Sequence, residues 1–398
     1  MILGVSVTPP SIITDMGISM EFECVYHGVD GLDVAYQGAL PRNALTSLQW
    51  AYAKANNQRR PELVEFAGAP FLLLPSGRRG GYRYTLDGGP TGALFWFKDN
   101  DDAEQWNIFA SMTSGGLLSL GYEGARTYLE DCLRAMEATV TTDAPNRIDY
   151  AFDMKTRGFE LDLDCIVAHQ QAQIVPYHGL ACFEDLSEPS VVMRGRRIES
   201  VRIAKLPGDQ VAIYDKRLDC ARKKKEYWYD AWDLDPEDRD YQVWRVELRS
   251  GKHGVARKRG IRTLDALEAH APELLSQLST RTRYTLPHSG DRNVSRRDLH
   301  PLWLAVVDQL PERITDAQGQ LPAATIRESE RARLEAIHSQ QILGNAAGYA
   351  ATLGLPIQSI REDLPDLITS LLREAVETDD GLKKLLATAK RVEDRLSL

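Results

Sequence analysis

Apolar and polar residues alternate along three short segments of the chain, at 147–153, 211–216 and 243–249. Alternate side chains of a β-strand point to opposite sides, so this pattern predicts strands with one face in the core. The second faces are mostly charged, and an antiparallel sheet built from the three strands would bring these charges together. The apolar faces carry Ile148, Tyr150 and Phe152, then Val211 and Ile213, then Trp244, Val246 and Leu248.

The rest of the pattern predicts two hairpins, a loop and a set of helices. A hairpin is expected at Val201–Leu206 and Val211–Lys216, around a Pro-Gly-Asp turn, and another over Gly77–Gly88. Asp143–Pro145 is expected to be the loop before the first charged strand. The predicted helices are Pro41–Asn57, Glu123–Val140, Arg217–Trp232, Ala323–Leu353, Ile357–Val376 and Asp380–Leu396.

These elements predict an α+β fold, in which an antiparallel-sheet domain with flanking helices precedes a mainly helical C-terminal domain. With 398 residues, more than one domain is expected. We predict a strand-rich, DNA-binding N-terminal part at 1–125, a central core at 126–286 and a helical domain at 287–398. Pro287–Asn293 is the expected linker.

The composition is that of an ordinary soluble protein, with 43% hydrophobic and 26% charged residues. No run approaches the roughly 20 apolar residues that span a bilayer, and the first residues lack the features of a signal peptide. A cytoplasmic protein without membrane contact is therefore expected. The five cysteines are widely separated, so neither a disulfide framework nor a zinc site is predicted: Cys24, Cys132, Cys165, Cys182 and Cys220.

Basic residues are concentrated in one part of an acidic chain. The net charge is −9, yet residues 191–262 contain 19 Lys and Arg against 12 Asp and Glu. Such a segment suits a protein that contacts phosphates at one surface, although it is also typical of a solvated face. The residues predicted to contact DNA are Arg147, Arg194, Arg196, Arg197, Lys223, Lys224, Lys225, Arg249, Arg257, Lys258 and Arg259.

The polar faces of the three strands carry candidate chemistry. Asp149, Asp153 and Glu247 could bind Mg²⁺ or Mn²⁺, because hard divalent cations prefer carboxylate oxygens. Lys216 and Arg245 suit phosphate, and the Tyr214 hydroxyl is a candidate covalent nucleophile. The alternative is that these faces meet water and that their charges simply pair with one another.

The same strands resemble the replication initiation factor family, the trans-acting initiators of rolling-circle plasmids and the related relaxases of integrative elements. The resemblance lies in Arg147-Ile-Asp149-Tyr-Ala151-Phe-Asp153, in Tyr214-Asp215-Lys216 near the end of a hairpin, and in Trp244-Arg245-Val-Glu247. Their order and spacing also agree. The match covers about residues 30–270 and is dense only from 145 to 265.

The resemblance implies a metal-dependent DNA strand transferase, that is, a site-specific single-strand endonuclease. Tyr214 would attack one phosphodiester at a replicon origin, become joined to the 5′ phosphate, and later reseal the strand. Lys216 and Arg245 would stabilise charge on the phosphoryl oxygens. The implied partners are origin DNA and a second copy of the chain, and the helical tail could serve to recruit a host helicase. The larger nicking superfamily often uses a His-hydrophobe-His metal pair, which is absent here.

Several alternatives stay open at this point. Tyr227, Tyr229 and Tyr241 are nearby tyrosines, and His253 follows the third strand. A relaxase for conjugative transfer would use the same chemistry at a transfer origin. A non-catalytic DNA-binding copy-control protein would keep the sheet without the reaction. A metal-dependent nuclease that uses water would leave Tyr214 with a structural role only.

Overall fold

The computed structural model describes residues 12–13, 19–168, 191–287, 296–356, 358, 360–396 and 398. Two short strands, β1 and β2, pair near the start of the chain. The strands are β1 Ile12–Ile13, β2 Ser19–Met20, β3 Glu23–Ala39, β4 Glu62–Phe66, β5 Ala69–Leu74, β6 Tyr82–Asp87, β7 Ala93–Lys98, β8 Ile108–Met112, β9 Thr139–Thr156, β10 Ile166–Ala168, β11 Val191–Arg194, β12 Arg197–Ile203, β13 Asp209–Asp215, β14 Gln242–Gly251 and β15 Thr282–Tyr284.

Eleven of these strands form one antiparallel sheet, in the order β11-β12-β13-β14-β9-β3-β8-β7-β6-β5-β4. The two longest, β3 and β9, lie side by side at its centre. A small second sheet pairs β10 with β15. The three strands predicted from their alternation are therefore neighbours, because β13 pairs with β14 and β14 pairs with β9.

One face of the large sheet supplies the main hydrophobic core. Tyr150, Phe152 and Val246 are completely buried on it, as the alternation predicted. The second helix and the fifth cover this face with Leu129 and Leu275. The helices are α1 Arg42–Gln58, α2 Ser114–Ala135, α3 Lys216–Lys223, α4 Tyr227–Ala231, α5 Leu264–Arg281, α6 Pro301–Asp308, α7 Ala323–Thr352, α8 Ile360–Glu377 and α9 Asp379–Leu396.

The fold is α+β, with an antiparallel sheet, flanking helices and a helical C-terminal region, as predicted. The three helices of that region, α7 to α9, agree with the predicted segments to within three residues at each end. Strands from residues 1–125 and from 126–286 share the large sheet, and the domain boundaries remain predictions. Most of the predicted linker at Pro287–Asn293 lies outside the described residues.

The predicted helix at Glu123–Val140 corresponds to the part of α2 that follows a kink at Gly121, and it was wrong at its C-terminal end. α2 begins at Ser114, where the Thr113 side chain accepts a hydrogen bond from the Gly116 N–H, and it ends at Ala135. Strand β9 then starts at Thr139, so Asp143–Pro145 is part of a strand rather than a loop. The sheet accommodates Pro145, which lacks an N–H, because the β3–β9 register shifts beside it.

Two further predictions were wrong in detail. The predicted helix Arg217–Trp232 is divided into α3 and α4, because Lys224 adopts a left-handed conformation with φ of 52° and ends α3. Over Gly77–Gly88, β6 is the regular strand, and an isolated bridge joins Arg78 to Tyr82. Four cysteines are free thiols, and Cys182 lies outside the described residues. No described helix is both long and apolar enough to cross a bilayer.

Candidate functional site

The strand register brings the predicted site residues onto one face of the sheet. Tyr214 on β13 lies opposite Arg245 on β14, and Arg245 lies opposite Asp153 on β9. Two residues further along β14, Glu247 lies between Ala212 and Ala151, whose small side chains leave room beside it. The site therefore forms on the side of the sheet that faces away from the main core.

A phenol and a carboxylate meet at the centre of this site. The Tyr214 hydroxyl donates a hydrogen bond to Glu247 Oε1, with an oxygen–oxygen distance of 2.5 Å. Glu247 is buried, and its other oxygen accepts from the Arg249 Nε at 2.5 Å. Arg245 Nη1 lies 3.9 Å from Glu247 Oε1. The Glu247 carboxylate thus contacts a tyrosine hydroxyl and two guanidinium groups.

Arg245 forms the most deeply buried ion pair of the site. Its Nε and Nη2 donate to the two Asp153 oxygens at 2.5 and 2.7 Å, and both side chains are removed from solvent. The Trp232 indole N–H donates to Asp153 Oδ2 at 2.7 Å. The Trp228 ring lies 4.2 Å from the guanidinium carbon of Arg245. Helix α4 therefore covers this end of the site with aromatic side chains.

Asp30 belongs to the site although the sequence patterns did not select it. Its Oδ1 lies 2.8 Å from Arg245 Nη1. The β3–β9 register shifts between Val29 and Gly31, so Asp30 is the extra residue of a bulge. Alternation alone cannot place a bulged side chain, but the Asp-Gly pair within a strand-like segment was a usable signal.

Asp149 lies further along the same face and has its own arginine partners. Arg147 donates to both of its oxygens, and Arg249 Nε lies 3.8 Å from Asp149 Oδ2. A Cβ on Gly31 would lie 2.8 Å from Asp149 Oδ2, so glycine leaves the space that this carboxylate occupies. Arg147 and Arg249 were predicted to contact DNA, and both point a partly exposed guanidinium group into this site.

Burial and charge shift the pKa values of these groups in different directions. Burial and the neighbouring Glu247 charge raise the pKa of Tyr214 well above its usual value. Burial opposes ionisation of Glu247, but Arg249 and Arg245 outweigh it and lower the pKa of Glu247. Burial raises the pKa of Asp149 to about 6, despite the opposing Arg147. The resting site therefore contains a neutral phenol hydrogen-bonded to an ionised Glu247.

Lys216 does not lie on a strand, contrary to the prediction. It is the first residue of α3, because the Asp215 side chain caps that helix by accepting from the Leu218 N–H at 2.9 Å. The Lys216 ammonium is buried, 4.6 Å from the Trp228 ring centre and 5.8 Å from that of Tyr214. It thus lies against the aromatic rings beside the site and contributes a positive charge there.

The three predicted metal ligands are each engaged with arginine in this structure. Asp153 is bound by Arg245, Asp149 by Arg147, and Glu247 by Arg249. Across the described part of the chain, no group of three or more His, Cys, Asp and Glu side chains is placed to hold a metal ion. In this arrangement the carboxylate charges are neutralised by arginine rather than by a cation, and Mg²⁺ or Mn²⁺ binding remains a prediction.

The basic clusters near the hairpin are partly paired. Arg197 bonds Asp215 at 2.5 Å, Lys223 bonds Asp219 at 2.8 Å, and Arg194 lies 3.7 Å from Glu199. Lys224 donates to Gln340 in α7. Lys225 is half-buried, and its burial lowers the pKa of the ammonium. Arg196 is exposed at the tip of the β11–β12 hairpin.

The cluster after β14 lies in a short π-helix, His253–Lys258. Lys258 and Arg259 both bind Asp209, the first residue of β13, at 2.5 and 2.9 Å, and Lys258 also remains exposed to solvent. Arg257 and His253 are exposed. Tyr227 and Tyr229 are buried with Trp228 and Trp232, whereas the Tyr214 hydroxyl bonds Glu247 within the carboxylate and arginine group. Tyr26 is a second tyrosine beside this group, because it lies opposite Asp153 with its ring centre 5.5 Å from the Arg245 guanidinium carbon.

No protein-family model matches this chain, and no curated protein matches it. Among solved structures, the chain is similar to a rolling circle replication initiator protein from Geobacillus stearothermophilus. The two share 14% sequence identity with a TM-score of 0.35, over 73% of this chain and 97% of the other. A likeness this distant carries no argument about function, which rests on the geometry described above.

Proposed function

We propose that this protein is a rolling-circle DNA replication initiator. It would nick one strand at a replicon origin through a covalent bond between Tyr214 and the 5′ phosphate, and later rejoin the strand. The observation that supports this proposal is the meeting of the Tyr214 hydroxyl with Glu247 and two guanidinium groups on one sheet face. Nucleophile, proton acceptor and anion-binding groups are the parts that such a transfer requires.

The proposed step conserves the number of phosphodiester bonds. The Tyr214 oxygen bonds to phosphorus, the bond from phosphorus to the 3′ oxygen breaks, and the strand ends in a 3′ hydroxyl. The phenol proton passes to Glu247, its hydrogen-bond acceptor, and then to the leaving 3′ oxygen. Rejoining is the reverse of this step.

DNA binding itself would help to activate the tyrosine. In the free protein, Arg249 and Arg245 lower the pKa of Glu247, which makes Glu247 a weak base. A DNA phosphate that binds Arg249 would draw away part of that positive charge. The basicity of Glu247 would then rise at the moment when the substrate is in place. The guanidinium groups would meanwhile stabilise negative charge on the phosphoryl oxygens.

The closed set of ion pairs favours a second candidate, a DNA-binding copy-control protein without catalysis. Each carboxylate of the site has an arginine partner, and the Tyr214 pKa is raised rather than lowered. Such pairing is what a purely structural network would show. A relaxase for conjugative transfer would use the same step as the initiator and differ in the origin that it recognises.

A covalent-adduct assay separates these functions. The full-length protein is incubated with supercoiled plasmid carrying its own replicon, with and without Mg²⁺ or Mn²⁺, and the products are denatured in detergent. We expect a protein–DNA adduct that Tyr214→Phe abolishes while DNA binding persists. Tyr241→Phe is the matched control, because Tyr241 lies outside the Tyr214–Glu247 pair, and it should leave the adduct unchanged.

The other outcomes are equally informative. Cleavage without an adduct would indicate a nuclease that uses water. Binding without cleavage, with either metal, would favour the copy-control protein and overturn the proposed chemistry. Loss of the adduct in Tyr241→Phe but not in Tyr214→Phe would show that the wrong tyrosine was chosen.

A further inference from the structure

The face of the sheet that carries Tyr214 continues beyond the site, and there it bears aromatic rings. Trp96 on β7 lies opposite Phe109 on β8, and Tyr82 at the start of β6 packs against Phe109. The ring centres are 5.6 Å apart for Trp96 and Phe109, and 6.1 Å for Tyr82 and Phe109. We call Tyr82, Trp96 and Phe109, with Arg78 and Lys98, the aromatic patch.

The register shows that the patch and the site share a face. On the patch side, Ser111 follows Phe109 by two residues on β8, and its hydroxyl bonds Asp33 Oδ1 on β3 at 2.5 Å. Asp33 lies opposite Arg147 on β9, the partner of Asp149. The alternate residues of β7, such as Phe95 and Phe97, are buried in the main core on the opposite face.

Two cations lie over the rings of the patch. The guanidinium carbon of Arg78 is 4.5 Å from the Trp96 ring centre and 4.1 Å from that of Phe109. Lys98 Nζ is 5.3 Å from the Tyr82 ring centre. Among the described residues, no carboxylate forms an ion pair with Arg78 or Lys98. Rings beside unneutralised cations are the combination that stacks bases and binds phosphates.

We propose that the aromatic patch binds single-stranded DNA and leads it along the sheet toward Tyr214. The direction of the strand toward Tyr214 rests on the proposed function, whereas binding to the aromatic patch can be measured without any cleavage. The strand would stack bases on Trp96 and Tyr82, pass Arg147, and reach the guanidinium groups around Glu247. Arg78 and Lys98 would neutralise phosphates along the first part of this path.

The geometry favours a single strand over a duplex. Five inter-strand steps separate β7 from β13, which at about 4.8 Å each makes a path of roughly 24 Å. Over those steps a sheet of ordinary twist turns by roughly 100° or more. A flexible single strand can follow such a surface, whereas duplex DNA, with a persistence length of about 150 bp, bends only at a cost.

The test measures oligonucleotide binding in a background that cannot form the adduct. In Tyr214→Phe protein, a fluorescent oligo-dT of about 16 nucleotides is titrated and its anisotropy is followed. We expect Trp96→Ala to weaken binding about 5- to 150-fold, the range for one lost stacking contact, and Tyr82→Ala to act similarly. Trp96→Phe keeps an aromatic ring, so its affinity for the oligonucleotide should stay much closer to that of the Tyr214→Phe parent.

The matched control is Trp50→Ala. Trp50 is 76% exposed on α1, the helix that packs against the other face of the sheet, so its loss should leave binding unchanged. Arg78→Ala and Lys98→Ala should each reduce the slope of log affinity against log salt by about 0.7, the value for one single-strand phosphate contact. A duplex of equal length should be insensitive to Trp96→Ala. Thermal unfolding of each variant identifies any that has lost its fold.

Equal binding by Trp96→Ala, Trp96→Phe and the parent would overturn the inference. So would an equal loss in Trp50→Ala, which would indicate a general effect of removing tryptophan. The adduct assay and the oligo-dT assay test the two proposals separately. If wild type forms no adduct but Trp96→Ala weakens oligo-dT binding, the aromatic patch is supported and the nicking function is refuted. If wild type forms the adduct but Trp96→Ala leaves oligo-dT binding unchanged, the nicking function is supported and the aromatic patch is refuted.

Discussion

Arg245 and Asp153 lie directly opposite each other on neighbouring strands and form a two-point ion pair that no solvent reaches. Burying two charges is costly, and the attraction within the pair offsets that cost only while both partners are present. Trp232 and Asp30 add further contacts to the same pair. Its integrity therefore underlies both the stability of the sheet and the position of the Tyr214 site.

Asp153→Asn should destabilise the protein by about 3 to 5 kcal/mol, because Arg245 would keep a buried charge without its main partner. Urea denaturation measures this change in the free energy of unfolding. Asp101→Asn is the control, since Asp101 pairs with Arg42 at an exposed site and its loss should hardly alter the midpoint. Similar midpoints for the two variants would contradict the buried-pair interpretation.

The nicking rate should stay nearly constant from neutral to mildly basic pH wherever the protein stays folded. The pKa of Glu247 is lowered, so Glu247 is ionised and able to accept the phenol proton throughout this range. The pKa of Tyr214 lies well above its usual value, so the phenol keeps its proton until Glu247 accepts it. Single-turnover adduct formation on excess protein gives the profile. A rate that rises about tenfold per pH unit would instead indicate attack by a phenolate formed beforehand, and would contradict the role of Glu247 as the base.

Asp209→Asn should destabilise the protein at neutral pH and have little effect in acid. Burial alone would raise the pKa of Asp209, but hydrogen bonds from Arg259, Lys258 and Ser250 lower it to about 2. Its folded pKa is thus below the unfolded value of about 4, so its contribution is complete above pH 4 and disappears as the pH falls toward 2.

Two pKa units correspond to about 2 to 3 kcal/mol, which is the expected difference between wild type and Asp209→Asn near pH 7. Chemical denaturation of both proteins at several pH values would show the two free energies of unfolding converging in acid. A constant difference across the whole range would mean that the Asp209 carboxylate charge is not what stabilises this end of β13.

Gly121→Ala should destabilise the protein, because Gly121 adopts a φ of 66° at the kink of α2. An added Cβ would also lie 2.4 Å from the Ala317 carbonyl oxygen. The backbone strain alone costs about 1 to 3 kcal/mol. Gly344→Ala is the matched substitution within α7, where a Cβ meets nothing within 4 Å.

In contrast to Gly121→Ala, Gly344→Ala should stabilise α7 by about 0.5 to 1 kcal/mol, since alanine loses less conformational entropy in a helix. Thermal unfolding compares the two variants with wild type. Equal shifts in the same direction would refute the kink as the reason for glycine at 121.

Much of the candidate site could be predicted from local pattern. The faces of 147–153 and 243–249 were assigned correctly, because the alternation of side chains along a strand depends only on neighbouring residues. The α7 to α9 segments were also recognisable, since amphipathic helical spacing is equally local. The end of α3 was not recognisable, because residue propensity does not predict the left-handed conformation that Lys224 adopts there.

Sequence pattern, then, established that Tyr214, Glu247 and Asp153 lie on polar strand faces. It could not establish which strands are neighbours or in which register, because pairing joins residues far apart in the chain. Only the folded sheet set Tyr214 opposite Arg245, brought Asp30 in through a bulge, and gave every carboxylate of the site an arginine partner. Those are contacts between distant segments, and the free energy of burying them together decides their geometry.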